Sequence, residues 1–464
     1  MLRLSCAVTA ALLLFSFSSP AQNLASSPAQ TVTQDPSDWP MYNHDAVGTR
    51  CNPAEDKLTR DSVRGLKVKW VFPTAGDVYG TPSVVDGIVY VGDTSGTFYA
   101  LRSSKSIVWK ANVGSPITDS ALVTNQMVIF GDQAGYIHGL NRVDGSKAWS
   151  VQPNPNSGAA IFGSPILVGG QVVIGISSNE RSGKETFRGS VVRLDPNTGA
   201  IVWQTYLITD EEQAHGASGA GIWSTPTYDV ETDLVYVTTG NNYAEPATET
   251  SDAFIALKGA SGEIVWKHQM VQDDIGTVEA DIGDSPQVYR LASGQRVVGA
   301  GEKKTGVYSV LDAEDGHLVR QIRVVPDCTD SLGLFADSAI SDGVVFVNGV
   351  NCIIPAKPPL VPPTGAVAAL ESDASKKVWE FTSLFAPVLS GLAVANGVVY
   401  AHTSGLYGTL YALDAKTGRV LAGVLTSGGI SGPSVSHGRI YVGTGTKFAS
   451  GFGILPPGVV AIGL

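Results

Sequence analysis

Between Gly80 and Trp109 apolar and polar positions alternate in four short runs, Thr-Pro-Ser-Val-Val, Ile-Val-Tyr-Val-Gly, Thr-Phe-Tyr-Ala-Leu and Ile-Val-Trp. Asp86-Gly87, Ser95-Gly96 and a Ser-Ser-Lys stretch part them. A period of two, broken by Asp-Gly and Ser-Gly pairs, predicts four short antiparallel strands joined by tight turns. The closing signature recurs as Gly-Ser-Lys-Ala-Trp149, Thr-Gly-Ala-Ile-Val-Trp203, Ser-Gly-Glu-Ile-Val-Trp266 and Lys-Lys-Val-Trp379, and in degenerate form at Arg320 and Ala422. Trp70 supplies the same feature at the start.

Measured from Trp70 through these positions to Leu464, the chain divides into eight units of 39 to 63 residues. Four strands per unit at such a period is the content of a propeller blade. The last unit ends in Gly-Val-Val-Ala-Ile-Gly-Leu464 with no outer strand of its own, while Lys67 to Phe72 is an outer strand with no blade before it. The expected fold is therefore all-β, an eight-bladed β-propeller over residues 67–464 closed by pairing of its N- and C-terminal strands, which removes the open edges at the seam. Six of the eight tryptophans occupy the repeat position, where a large ring packing between blades accounts for them. Trp39 and Trp223 do not, and Trp39 is expected to anchor the leader.

Composition agrees with a turn-rich β protein: 53 glycines, and 16% charged residues against about 25% in average domains. A formal charge of −11 argues against nucleic acid as a partner. At the N-terminus Arg3, the apolar run Ala7 to Phe17 and Ser19-Pro20-Ala21 read as a signal peptide over residues 1–21, so a periplasmic or secreted location is expected, with no membrane span. Residues 22–66 are expected as a leader, loose over Gln22 to Ser37. Beyond the signal stand Cys51, Cys328 and Cys352, of which Cys328 and Cys352 fall in one unit and are the expected pair if a bridge forms. No cysteine spacing for covalent haem or zinc is present.

The four middle units are the longest, and long connections on a rigid scaffold carry function. In an antiparallel blade the start of the first strand and the end of the second lie on one side of the sheet. Glu180, Asn241 and the pair Lys303-Lys304 follow second strands, and Trp223 and Asp281 precede first strands, so all of them project to one face of the disc. A carboxylate and an amide are hard oxygen ligands suited to Ca²⁺, an indole offers a stacking plane, a lysine can neutralise an anion, and a second carboxylate can be a metal ligand or a general base. Singly, each is also an ordinary turn residue; their convergence on one face makes them a candidate site. Pro355 to Pro363 follows the second strand of blade six and would stand on the same face as a substrate wall or a stiff surface loop.

These residues carry a resemblance. The blade motifs, the stretch Gly-Ile-Trp223-Ser-Thr-Pro-Thr-Tyr-Asp leading to Thr-Thr-Gly-Asn241-Asn-Tyr, Phe187-Arg-Gly-Ser-Val-Val and Asp38-Trp-Pro-Met-Tyr-Asn-His-Asp are similar to the quinoprotein alcohol dehydrogenases, above all their polyvinyl-alcohol dehydrogenase branch. The resemblance implies pyrroloquinoline quinone on a tryptophan floor, with Ca²⁺ between the quinone and the protein. It implies Glu180, Asn241 and Asp281 as calcium ligands, Trp223 as the stacking ring, Lys304 as the basic residue that contacts the quinone oxygens and Asp281 as the catalytic aspartate, with Asp273, Asp274 and Asp284 as competitors for that role. The substrate would be an alcohol and the electron acceptor a separate cytochrome c. The family's adjacent-cysteine pair is missing, Lys184-Glu185-Thr186-Phe187 standing in its place. Two other readings of the residues stay open: a cofactor-free propeller serving as an assembly scaffold, and a carbohydrate-binding propeller.

Overall fold

The structure, a computed structural model, describes residues 31–32, 35–180, 182–276, 278, 280–326, 333–351, 364–384, 386–405, 408–445 and 456–464. The signal segment, Cys328, Cys352 and Pro355 to Pro363 lie outside the described residues, and Cys51 is a free thiol. Seven four-stranded antiparallel blades follow one another along the chain. The eighth combines Ser434–Ser436, Arg439–Thr444 and Gly458–Gly463 with Lys67–Pro73, so the two chain ends close the ring as expected. No helix among the described residues is long and apolar enough to cross a membrane.

The repeat tryptophans dock each blade on the next. Each indole Nε1 donates to a backbone carbonyl of the following blade: Trp70 to Ser103, Trp109 to Arg142, Trp149 to Pro196, Trp203 to Gly259, Trp266 to Ala313 and Trp379 to Ala415, over 2.8–3.1 Å. From Trp109 onward the ring lies on a turn glycine at positive φ, such as Gly199 (φ 72°) under Trp149, where a β-carbon would come within 2.6 Å of the ring. This explains the Gly four residues before Trp149, Trp203 and Trp266: it supplies the left-handed turn and the bare seat for the preceding blade's ring together. In blade five Arg320 takes the tryptophan place, and the facing turn of blade six carries Ala374 (φ 56°) instead of glycine. Blade seven has Ala422 because the blade it faces is the seam, where chain termini replace that turn.

Inner strands open with a hydroxyl residue before proline, and the structure shows why. Ser120 N–H donates to Ser164 Oγ (3.0 Å), Ser164 N–H to Thr225 Oγ1 (3.0 Å) and Thr225 N–H to Ser285 Oγ (2.9 Å), a chain of bonds from blade to blade around the axis. Between blades five and six the bonds are reciprocal: Ser285 N–H donates to Asp337 (2.8 Å) and Ser338 N–H to Asp284 (2.9 Å). Edge N–H groups that face the axis are buried and need such partners.

The leader departs from expectation. Thr31 and Val32 already bond to blade two, and residues 39–52 run across the axis as a plug. Trp39 exchanges two hydrogen bonds with Val84, and Pro40, Ala46, Val47, Thr49 and Arg50 accept from the inner strands at Val123, Tyr228, Val288, Ile340 and Val394. The amide of Asn52 donates to Val435 O (2.8 Å), so seven of eight inner strands are served. Trp39 and Arg50 are fully buried; the Arg50 guanidinium donates to Tyr42 O (2.8 Å) and lies 4.5 Å from the Tyr42 ring centroid. The segment has no period because its hydrogen bonds go to a different blade at nearly every step.

Candidate active site

Blades four and five place the candidate residues. Trp223 stands just ahead of Ser224-Thr225-Pro226, and its ring rests on Gly283 at the corresponding entry of blade five: a β-carbon there would lie 2.1 Å from Trp223 Cη2. The indole is half-buried, tilted against Phe335 (centroids 5.8 Å, 41°) and outside the blade-docking register. Gly240 is equally constrained, since its β-carbon would meet Asp281 Oδ1 at 2.8 Å and Trp223 Nε1 at 3.4 Å. Close approach of backbone and side chains is what these two glycines permit.

Asp281 is fixed at both oxygens. Asn241 N–H donates to Oδ1 (3.0 Å) and Lys303 Nζ to Oδ2 (2.7 Å), with both side chains of the ion pair about nine-tenths buried at 12% and 10% exposure. The backbone agrees, Lys303 N–H donating to Asp281 O (2.9 Å). Lys303 Nζ also lies over the Trp223 ring, 5.7 Å from its centroid. The lysine that the structure brings to this centre is therefore Lys303, one residue ahead of Lys304; in a Lys-Lys turn the sequence carries no period that distinguishes them. Asn241 is buried, and its Nδ2 donates to Asn242 O (2.6 Å), which turns the amide oxygen to other use. Glu180 closes the second strand of blade three on this side of the disc, with φ 56° and an exposed side chain.

The competing aspartates have other tasks. Asp274 is buried and accepts from Gly276, Val278 and Ala280 N–H, organising its own loop. Asp284 accepts from Gly301 and Ser338 and joins blades five and six; burial, then Asp337 beside it, raises its pKa to about 7. Asp273 is exposed.

One residue of the site escaped sequence reading. Asp252, which opens the third strand of blade four, has its N–H on Gly240 O (3.1 Å) and a fully buried side chain. Burial raises its pKa to about 9, with the negative charges of Asp281, Asp274 and Glu302 adding to the effect and Lys303 opposing it. The signal was available: third strands start on the same face where second strands end.

The groups present fit a planar anionic cofactor with a hard cation. Trp223 offers an aromatic seat, Lys303 a positive charge over it, and Asn241, Asp281 and the uncompensated Asp252 offer oxygen donors, the ligand type Ca²⁺ takes. The strand order, the tryptophan docking and this site define a quinoprotein-type propeller: the family model described as outer membrane protein assembly factor BamB matches residues 60–253, 187–351 and 363–452. The chain belongs to that family, and its named relatives include polyvinylalcohol dehydrogenases and quinone alcohol dehydrogenases. It is 27% identical to a polyvinylalcohol dehydrogenase of Pseudomonas sp over 88% of this chain and 73% of the relative. It is 24% identical to the dehydrogenase subunit of a quinone alcohol dehydrogenase of Gluconacetobacter polyoxogenes, over 61% of this chain and 45% of that one. The fold matches quinohemoprotein alcohol dehydrogenase from Comamonas testosteroni with a TM-score of 0.76 at 20% identity, over 92% of this chain and 80% of that chain.

Proposed function

We propose that the protein is exported and oxidises an alcohol, secondary or polymeric, with pyrroloquinoline quinone seated on Trp223 and Ca²⁺ beside it. The observation that carries this reading is the off-register Trp223, laid on Gly283 with Asp281, Lys303 and Asn241 at its edge. Asn241 and Asp281 would hold the cation, with Glu180 reaching in from blade three. When bound, the quinone supplies the two-electron acceptor and Ca²⁺ a Lewis acid next to it.

The protein's own groups do the rest. Asp281 is the general base: Lys303 and Asn241 N–H each hold one of its oxygens, and a carboxylate has about four lone-pair sites, so two stay open for the cation and a substrate hydroxyl. Lys303 would offer a positive charge to the quinone oxygens, next to Lys304, to which the resemblance gives that role. Electrons leave to a separate acceptor, which the resemblance makes a cytochrome c. The Arg3, Ala7–Phe17 and Ser19-Pro20-Ala21 pattern supports export to the periplasm or beyond.

Reconstitution tests the reading. Full-length protein mixed with the quinone and Ca²⁺ should show bound-quinone absorbance and reduce an artificial dye with alcohols; primary, secondary and polymeric alcohols then rank the substrate class. Failure to bind quinone in the presence of Ca²⁺ would instead favour the reading of a cofactor-free assembly scaffold.

A further inference from the structure

Asp252 presents a problem that the fold alone does not solve. Its side chain is fully buried, and among the described residues neither carboxyl oxygen has a hydrogen-bond partner. The hydroxyls around it are engaged elsewhere: Thr239 Oγ1 donates to Thr250 O (2.8 Å) and accepts from Ala253 N–H (3.0 Å), while Ser251 Oγ donates to Thr248 O (3.0 Å). Its backbone sits at φ 47°, a conformation an L-residue adopts at a cost. A buried carboxyl with both oxygens unmet is rare in native proteins and calls for an ion or another occupant.

The surroundings say which. Asp281, Asp274 and Glu302 act on Asp252 with like charge, and Lys303 opposes them. Lys303 Nζ is already committed to Asp281 Oδ2, and Asp274 to three backbone N–H groups. Through its N–H on Gly240 O, Asp252 is tied to the residue that precedes Asn241. Asp281 has a donor at each oxygen, whereas the buried Asp252 beside it has none, and a hard divalent cation satisfies an oxygen donor of this kind.

We propose that Asp252 is a further protein ligand of the site's cation, joining Asp281 and Asn241 from the start of the third strand of blade four. The proposal deepens the quinone reading and rests on it. With Asp252 in the shell, the cation is held from within the disc, and the exposed Glu180 is the peripheral ligand. Ca²⁺ binds six to eight oxygens, so quinone, Glu180 and water complete the set.

The test uses full-length protein freed of metal by a chelator, and Ca²⁺ or Tb³⁺ alone as the probe. Trp223 sensitises the emission of Tb³⁺ bound beside it, so the signal reports this site, and Trp223→Phe should remove it. Asp252→Asn should weaken Ca²⁺ and Tb³⁺ at least tenfold, and emission lifetimes in light and heavy water should show an added water on Tb³⁺ in the variant. Metal-free Asp252→Asn should melt at or above wild type, because an unmet carboxyl has been removed, yet gain less on adding Ca²⁺; Asp252→Ala should repeat the loss of metal affinity. Equal Ca²⁺ affinity in wild type and both variants, with quinone still bound, overturns the role of Asp252 and leaves the quinone reading standing. Absence of both quinone binding and sensitised emission in wild type overturns the two together.

Discussion

Gly283 is the seat of the proposed cofactor floor, and replacing it by alanine tests that floor without touching the tryptophan. A β-carbon at this place would lie 2.1, 2.7 and 2.9 Å from Cη2, Cζ2 and Cζ3 of Trp223. Carbon atoms in contact need about 3.5 Å, so the ring must withdraw by roughly 1.4 Å or tilt away. The backbone at Gly283 is not in the left-handed region, so the strain is purely steric. Overpacking of this sort costs about 1–3 kcal/mol, and a half-buried ring relieves part of it by turning outward. Stacking of a planar ligand on an aromatic side chain is worth about 1–3 kcal/mol, which makes the expected loss of quinone affinity about five- to 150-fold. Quinone titration by absorbance or calorimetry at fixed Ca²⁺ measures it, with melting temperature followed in parallel. Trp203→Ala provides the contrast: its ring docks on Gly262 and its Nε1 on Gly259 O (3.1 Å), so it should lower stability by about 3 kcal/mol and leave quinone affinity unchanged. A Gly283→Ala protein that binds quinone within threefold of wild type refutes the seat.

Asp281→Asn should bind quinone but lose about 10²–10⁴ in turnover, and excess Ca²⁺ should not restore it, because an amide cannot take the hydroxyl proton; turnover within threefold of wild type would mean the base lies elsewhere. Glu180→Gln should weaken Ca²⁺ and recover activity when Ca²⁺ is raised, as read from turnover across a metal titration. Trp39→Ala should cost about 3–5 kcal/mol in chemical denaturation, since the ring is fully buried in the plug; a loss below about 1 kcal/mol would show that the plug is not part of the core. His402 is buried with Nε2 on Thr426 Oγ1 (3.0 Å), and burial lowers its pKa to about 4 from about 6.5. The unfolded chain therefore binds more protons between those values, so stability is complete above pH 6.5 and falls by roughly 3 kcal/mol on acidification through pH 4. His402→Gln should flatten that part of a melting-temperature profile.

The blades were legible in the chain because what makes them is local. Alternation fixes which side chains face a neighbouring blade, Asp-Gly and Ser-Gly pairs fix the turns, and a tryptophan repeated in register fixes where one blade meets the next; the count of eight and the closure by Lys67–Pro73 follow from these alone. The same strand register put Trp223, Asn241 and Asp281 on one face, and the structure unites them. What it could not supply were facts set by contacts between distant segments. Whether Lys303 or Lys304 turns to Asp281 depends on a backbone bond to blade five's own entry strand, not on any period in the turn. Asp252 looks like a strand-opening residue until burial beneath the site removes every donor from it. The leader is aperiodic and its first part reads as loose, yet Trp39, Pro40, Ala46, Val47, Thr49 and Arg50 bond through their backbone to six different blades. Hydrogen bonds within a strand ladder leave a repeating pattern in the sequence, whereas bonds collected one at a time around a closed ring leave none. The axial plug and the inner wall of the site therefore took shape only when the ring was complete.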